Sequence, residues 1–357
     1  MTPRTFLIVA LVAVASLVAA AMVVTSLPPR HPIETDGEVL FPGLADQTVA
    51  RLVVRTATGP LTIERGESGW RLKERDDYPV DVTKVRETIV RMAQTILLEP
   101  KTTRPERHAL LDLVDPEDPA ATETTARPKG KGRALALEDT TGKVLAALIV
   151  GKRRFDLGGT GGAEEGIYVR RPGEAQTWLA RTSLFPAAEP RGWVDPTVIG
   201  VDPARVTRVT FRHSDGQVVM VSRTDNGPPA VQPLPAHADV DEGTAQRVLA
   251  LLSNVTLEDV RKKDAGVFKA DKTIRIEVVT REGLLINVAV HDHDGATWIT
   301  VNATGRQDMD EEAKMVNDRT RGWLYRLPSY NAAVFHSRQS DLVKKGADKP
   351  EAEGFQD

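Results

Sequence analysis

Apolar positions along this chain fall into three patterns: one unbroken run, short alternations, and stripes at helical spacing. The run comes first. Phe6 to Val24 carries no charge and a single hydroxyl, Ser16. As a helix at ~1.5 Å per residue it extends roughly 28 Å, close to the ~30 Å hydrocarbon thickness of a bilayer. Thr25-Ser26-Leu27-Pro28-Pro29 ends it, because proline lacks an N–H and blocks helix continuation. The pattern predicts a transmembrane helix within 1–27, with residues 6–24 in contact with lipid. A cleaved signal peptide is the rival, with Ala19-Ala20-Ala21 as its small-residue site. Its apolar stretch is usually only about 7–15 residues. Arg4, ahead of the run, favours an N-terminus inside and the bulk of the chain outside, periplasmic or extracellular.

Residues 28–48 carry prolines at 28, 29, 32 and 42 with weak periodicity, which predicts an extended linker. Alternation begins at Val49 and occurs twice. Val49, Leu52, Val54 and Gly59 match Val206, Val209, Phe211 and Gly216, and Leu61 and Ile63 match Val218 and Met220. Each copy predicts a hairpin, with turns at Thr56–Gly59 and His213–Gly216.

A helical stripe follows in each copy. In the first, Asp81 is a good N-cap, and Val82, Val85, Ile89, Met92 and Ile96 recur at three- and four-residue steps. In the second, Asp239 or Asp241 caps, and Val248, Leu251 and Val255 match Ile89, Met92 and Ile96. Strands then return. Leu135, Leu137, Gly142, Leu145, Ala147 and Ile149 match Ile276, Val278, Gly283, Ile286, Val288 and Val290. Trp178-Leu179-Ala180-Arg181 and Trp323-Leu324-Tyr325-Arg326 close the copies.

The expectation is an α+β chain. An N-terminal transmembrane helix precedes two similar antiparallel-sheet units, each with one packed amphipathic helix. The units span 49–195 and 196–336. Arg104 to Gly132 reads mostly as loop, and 337–357 as a disordered tail with little to bury.

Charge and composition remove some functions. Forty-seven basic residues face 50 acidic ones, a net charge of −3, so the basic excess of a nucleic-acid binder is missing. The absence of cysteine excludes disulfides and thiolate metal sites.

Candidate chemistry is thin. Gly158-Gly159-Thr160-Gly161-Gly162 lacks the Lys-Ser/Thr pair and the helix of a phosphate loop, and Glu164-Glu165 follow it, so it reads as a hairpin loop. His291 and His293 would share a strand face and could ligate a metal, but no third ligand is evident; Asp294-Gly295 reads as a hairpin turn. Asp308, Asp310, Glu311 and Glu312 lack EF-hand spacing and read as a solvated loop. Gly66-Glu67-Ser68-Gly69 lacks the spacing and the elbow of a serine hydrolase. Arg153-Arg154 and Arg170-Arg171 suit an anionic ligand or water equally. No catalytic, cofactor-binding or metal residue is assigned.

Several stretches together resemble the bacterial envelope proteins grouped as domain of unknown function 4340. Trp70 precedes Tyr78-Pro79-Val80-Asp81 and the helix. Leu111-Asp112-Leu113-Val114-Asp115-Pro116 is similar to the family's Gly-Leu-Asp-x-Pro stretch, with Asp112 in the glycine's place. Gly151-Lys152, Gly166-Ile167-Tyr168-Val169-Arg170, Trp178-Leu179 and Asp202-Pro203-Ala204-Arg205-Val206 complete the set. The resemblance covers roughly Val49 to Phe335. It implies a single-pass protein encoded near ABC transporter components, the gliding-motility type included, and brings no catalytic residues.

The expected function is therefore a non-enzymatic, membrane-anchored periplasmic accessory protein of an ABC-type transport or envelope complex. It would contact a permease or other envelope proteins, with exposed sheet edges accepting partner strands. The alternatives are a cell-wall glycan or lipid binding module, with Trp178, Trp193 and Trp298 on exposed loops around a cleft between the copies, and an unrecognised hydrolase.

Overall fold

Residues 37–116, 132–155, 165–225, 227–263 and 272–344 are described by a computed structural model. The first unit contains β1 (Glu38–Val39), β2 (Arg51–Thr56), β3 (Gly59–Gly66), β4 (Gly69–Leu72), β5 (Tyr78–Pro79), α1 (Val82–Ala93), β6 (Ile96–Pro100), β7 (Arg133–Glu138), β8 (Val144–Arg154), β9 (Gly166–Arg170) and β10 (Thr177–Arg181). The second contains β11 (Thr197–Ile199), β12 (Val206–Arg212), β13 (Val218–Ser222), β14 (Ala230–Gln232), α2 (Glu242–Leu249), β15 (Val255–Thr256), β16 (Asp259–Lys262), β17 (Ile274–Thr280), β18 (Leu285–His293), β19 (Ala296–Thr304), α3 (Asp310–Thr320), β20 (Trp323–Arg326) and the single turn α4 (Ser329–Ala332).

The first sheet has the order β1-β6-β10-β9-β8-β7-β2-β3-β4-β5, the second β14-β13-β12-β17-β18-β19-β20-β16. Reversed, the second order repeats the run from β6 to β4 of the first. Alternation explains the cores. Leu52, Val54, Leu61 and Ile63 line one, and Val209, Phe211, Val219 and Val221 line the other. Full burial of such a side chain contributes about 1.5–3 kcal/mol.

The copies differ in register by one residue at two places. Val54 pairs with Leu61, whereas Phe211 pairs with Val219, so one more residue separates the core positions of the second hairpin. Leu61 and Ile63 thus correspond to Val219 and Val221, not to Val218 and Met220. In β8, Leu137 pairs with Ala146 but Glu138 with Val144, which leaves Leu145 as a bulge residue. Ala146, Leu148 and Val150 therefore occupy the places of Ile286, Val288 and Val290. With a side-chain period of two, a one-residue slip exchanges the faces of a strand.

The helices begin as their caps dictate. The Asp81 carboxylate accepts from the Thr83 amide, and that of Asp241 from the Thr244 amide, each at 2.9 Å. The backbone repeats too. The Asp81 amide donates to the Trp193 carbonyl and the Asp241 amide to the Leu342 carbonyl, both at 2.9 Å. In each unit the segment after the last strand returns to hold the helix start.

The expected fold class requires correction. The described chain is mostly antiparallel sheet, and no helix among the described residues is long and apolar enough to cross a membrane. The run 6–24 lies outside the described residues. The second sheet carries α3 as well as α2, so one helix per unit does not hold. Among the eleven residues of α3 only Ala313 and Thr320 are buried, too few for an apolar stripe in the sequence. The expected linker is folded from residue 37 on: Leu40 and Leu44 are buried in the first core. Of the expected disordered tail, Ser337 to Lys344 are ordered, with Leu342 in the second core. Single apolar residues among polar ones left no periodic signal in either segment.

Candidate functional site

The two units meet where β5 of the first approaches β16 of the second. Asp76 and Asp77, at φ 55° and 62°, turn the chain before β5 and aim Arg75 and Asp76 across the junction. Arg75 donates from Nε to Asp259 Oδ1 at 2.6 Å and from Nη2 to Oδ2 at 3.2 Å. The Lys262 amide donates to Asp76 Oδ2 at 2.9 Å. Behind them Tyr78 packs edge-on against Trp323, with centroids 4.8 Å apart, and near Tyr325 at 6.3 Å. Burial pushes both phenols above their ordinary range. Lys84 Nζ donates to the Val194 carbonyl at 2.7 Å.

A shallow cleft at this junction is lined by Glu74, Arg75, Asp76, Asp259, Val260 and Arg261 with the lysines that follow. Its central groups are committed to one another. Asp259 holds Arg75 and the Val260 amide, Asp76 holds the Lys262 amide, and Arg261 lies over the Trp298 ring at 4.2 Å. The cleft works as a joint: its carboxylates are tied to a guanidinium and to amides rather than poised as an acid–base pair.

The sheet edges are blunt. β1 and β5 are two residues long, and β5 contains Pro79. β14 is three residues long and runs into Pro233. On β16 the Val260 and Lys262 amides are capped by the Asp259 and Asp76 carboxylates. Short strands, prolines and capped amides all oppose strand addition, so partner strands find little purchase on these edges.

The outer faces differ. On the first sheet, the segment 105–116 crosses β7, β8 and β9. Leu113 is fully buried there with Ala134 and Ile149, and Tyr168 packs alongside. The buried Arg170 donates from Nε to the Leu113 carbonyl at 2.9 Å and from Nη1 to the Glu174 carbonyl at 2.8 Å. His108 bonds the Ala175 carbonyl at 2.9 Å, and burial lowers its pKa. A Cβ on Gly151 would lie 2.1 Å from the Leu111 carbonyl oxygen, so the crossing needs glycine at this point. Three stretches that carry the family resemblance, 111–116, 151–152 and 166–170, therefore touch.

On the second sheet, an open groove runs across the outer face of β12, β13, β14 and β17. Arg208, Thr210, Arg212, Val218, Met220 and Glu277 line it, and Gln232-Pro233 closes its edge. Val218 is 41 % exposed. Arg208 reaches Glu277 at 3.7 Å. The surface offers apolar contact at Val218 and Met220 beside fixed charges, which suits a macromolecular partner better than a small reactant. Sequence reasoning missed it because its residues come from four strands.

The candidate residues disperse. His291 and His293 flank no metal cluster; no group of three potential ligands occurs among the described residues. Asp294 and Gly295, at φ 50° and 72°, form the two-residue turn between β18 and β19. His336 Nε2 meets the Asp292 carboxylate at 3.0 Å. The cluster Asp310-Glu311-Glu312, expected as a loop, is the first turn of α3, where acids favour the positive end of the helix dipole. Glu312 takes a double contact from Arg205 at 2.8 and 2.9 Å. Ser68 sits in the β3–β4 turn and accepts from Arg71 at 2.5 Å. Gly158–Gly162 lies outside the described residues.

The tryptophans also belong elsewhere. Trp193 is 1 % exposed and Trp298 3 %; Trp178 is half-buried on β10. Trp193 donates from its indole to the Ala187 carbonyl at 2.9 Å. None forms an exposed stacking platform, so the glycan-binding alternative loses its main support.

Against known proteins, the family model described as "Domain of unknown function (DUF4340)" matches residues 70–273. No curated protein and no solved structure matches the chain.

Proposed function

The chain belongs to this family of unknown function, and on that premise we propose that it is a non-enzymatic accessory protein of a membrane-associated transport or envelope complex, which it joins through the open outer face of its second sheet. The supporting observation is the contrast between the two outer faces. Residues 105–116 cover the first over β7, β8 and β9, whereas the second presents Val218, Met220, Arg208 and Arg212 in an open groove over β12, β13, β14 and β17. A sheet built twice and joined through Arg75–Asp259 and the Tyr78 contacts suits a scaffold that acts through its surfaces. On this reading the protein works at the cytoplasmic membrane on its outer side, residues 6–24 contact lipid, and the partner is an ABC-type permease or another envelope protein.

Affinity isolation of the full chain from solubilised membranes, followed by mass spectrometry, tests this. Enrichment of a transporter or envelope component, lost in a Val218→Arg/Arg212→Glu variant, is the expected result. Equal recovery by both forms, or no component above background, counts against it.

A further inference from the structure

Arg133 at the start of β7 and Arg153 near the end of β8 converge on one ring. Their guanidinium carbons lie 3.9 and 4.1 Å from the centroid of Phe185, in the segment after β10. Contact with a shared ring keeps the two charges within about one Debye length, ~8 Å at physiological ionic strength. Arg133 is half-buried and donates from Nη1 to the Pro186 carbonyl. Phe185 is itself packed against the first core. Both arginines are therefore held by a fixed support.

Each stacking contact explains one arginine; neither explains two cations on the same ring. No carboxylate lies within ion-pair distance of either guanidinium among the described residues. The acidic group whose field reaches Arg133 is Glu189, and it is the weakest influence there, after burial and the repulsion of Arg153, both of which lower the Arg133 pKa. Two like charges held on one ring, with no carboxylate paired to either among the described residues, repel each other, and an anion in contact with both offsets that repulsion.

We propose that Arg133, Arg153 and Phe185 form a binding site for a phosphate group. A carboxylate presents two coplanar oxygens, which suit one guanidinium fork. A phosphate presents oxygens in diverging directions and can accept bonds of about 2.7–2.9 Å from both. The phosphate is either free or carried by a lipid headgroup.

The test is titration of the detergent-solubilised full chain, followed by phosphorus NMR line broadening and calorimetry. One arm uses inorganic phosphate, the other a short-chain phosphatidic acid below its micelle concentration. Saturable binding in at least one arm is expected, weakened tenfold or more by Arg153→Gln and spared by sodium chloride at matched ionic strength. Tighter binding of the lipid indicates a headgroup site, and equal binding a free-phosphate site. Arg153 is exposed, so its variant folds; an unchanged melting temperature in the absence of ligand confirms this. No saturable binding in either arm, or equal affinity in the Arg153→Gln variant, overturns the proposal.

Discussion

Arg75 and Asp259 form a two-pronged ion pair across the junction of the units, at 2.6 and 3.2 Å, between residues 184 positions apart in the chain. Both side chains are largely shielded, so the pair is worth more than an open surface bridge. Arg75→Ala should lower stability by about 1–3 kcal/mol, since it leaves the shielded Asp259 without its partner. Urea unfolding measures it. An unchanged midpoint would show that the aromatic contacts of Tyr78 hold the joint alone.

Asp112 occupies a left-handed conformation, φ 56° and ψ 38°, at the end of the segment 105–111. Glycine adopts it without the side-chain penalty of ~1–2 kcal/mol. Asp112→Gly should leave stability equal or slightly raised, whereas Asp112→Val should lower it by about 1–2 kcal/mol. Thermal unfolding of the two variants gives opposite signs on this account.

Gly151 faces the Leu111 carbonyl so closely that any Cβ must displace backbone. Gly151→Ala should cost about 1–3 kcal/mol, as overpacking does. It should also raise hydrogen exchange in 105–116 more than in β12–β14. Uniform exchange across both sheets would mean that the crossing segment is not locally held.

How far the sequence carried the fold follows from these elements. The strands and the caps Asp81 and Asp241 were legible because alternation and capping are local. The register was not, because the bulge at Leu145 and the extra residue before Val219 are visible only against a partner strand. α3 escaped notice for want of an apolar stripe. Asp112 was noticed as a glycine substitute, and its positive φ supplies the reason. Of the candidate site little was legible: the open groove gathers β12, β13, β14 and β17, and the arginines around Phe185 are 20 residues apart, with nothing local to join them.

Three buried or half-buried histidines link stability to pH. Burial is the leading cause lowering the pKa of His108, His213 and His291. The neutral form is thus favoured in the fold, relative to an ordinary value near ~6.5. Their contribution is fully present above that value and is lost as the pH falls through the lowered folded values. The urea midpoint should drop as the pH falls below the ordinary histidine value of about 6.5. His213 bonds the Ser337 carbonyl at 3.1 Å, and its Nδ1 is buried without a partner, so His213→Gln should flatten part of that slope. An equal slope in the variant would assign it to other groups.

The outer face of the second sheet bears the weight of the functional account, and site-specific photo-crosslinking in living cells tests it most directly. A photoreactive residue at Val218 should trap a discrete envelope or transporter component. The same residue at Val144, which is 51 % exposed on the other sheet, should trap none. Equal products from both positions, or none from Val218, would contradict the account.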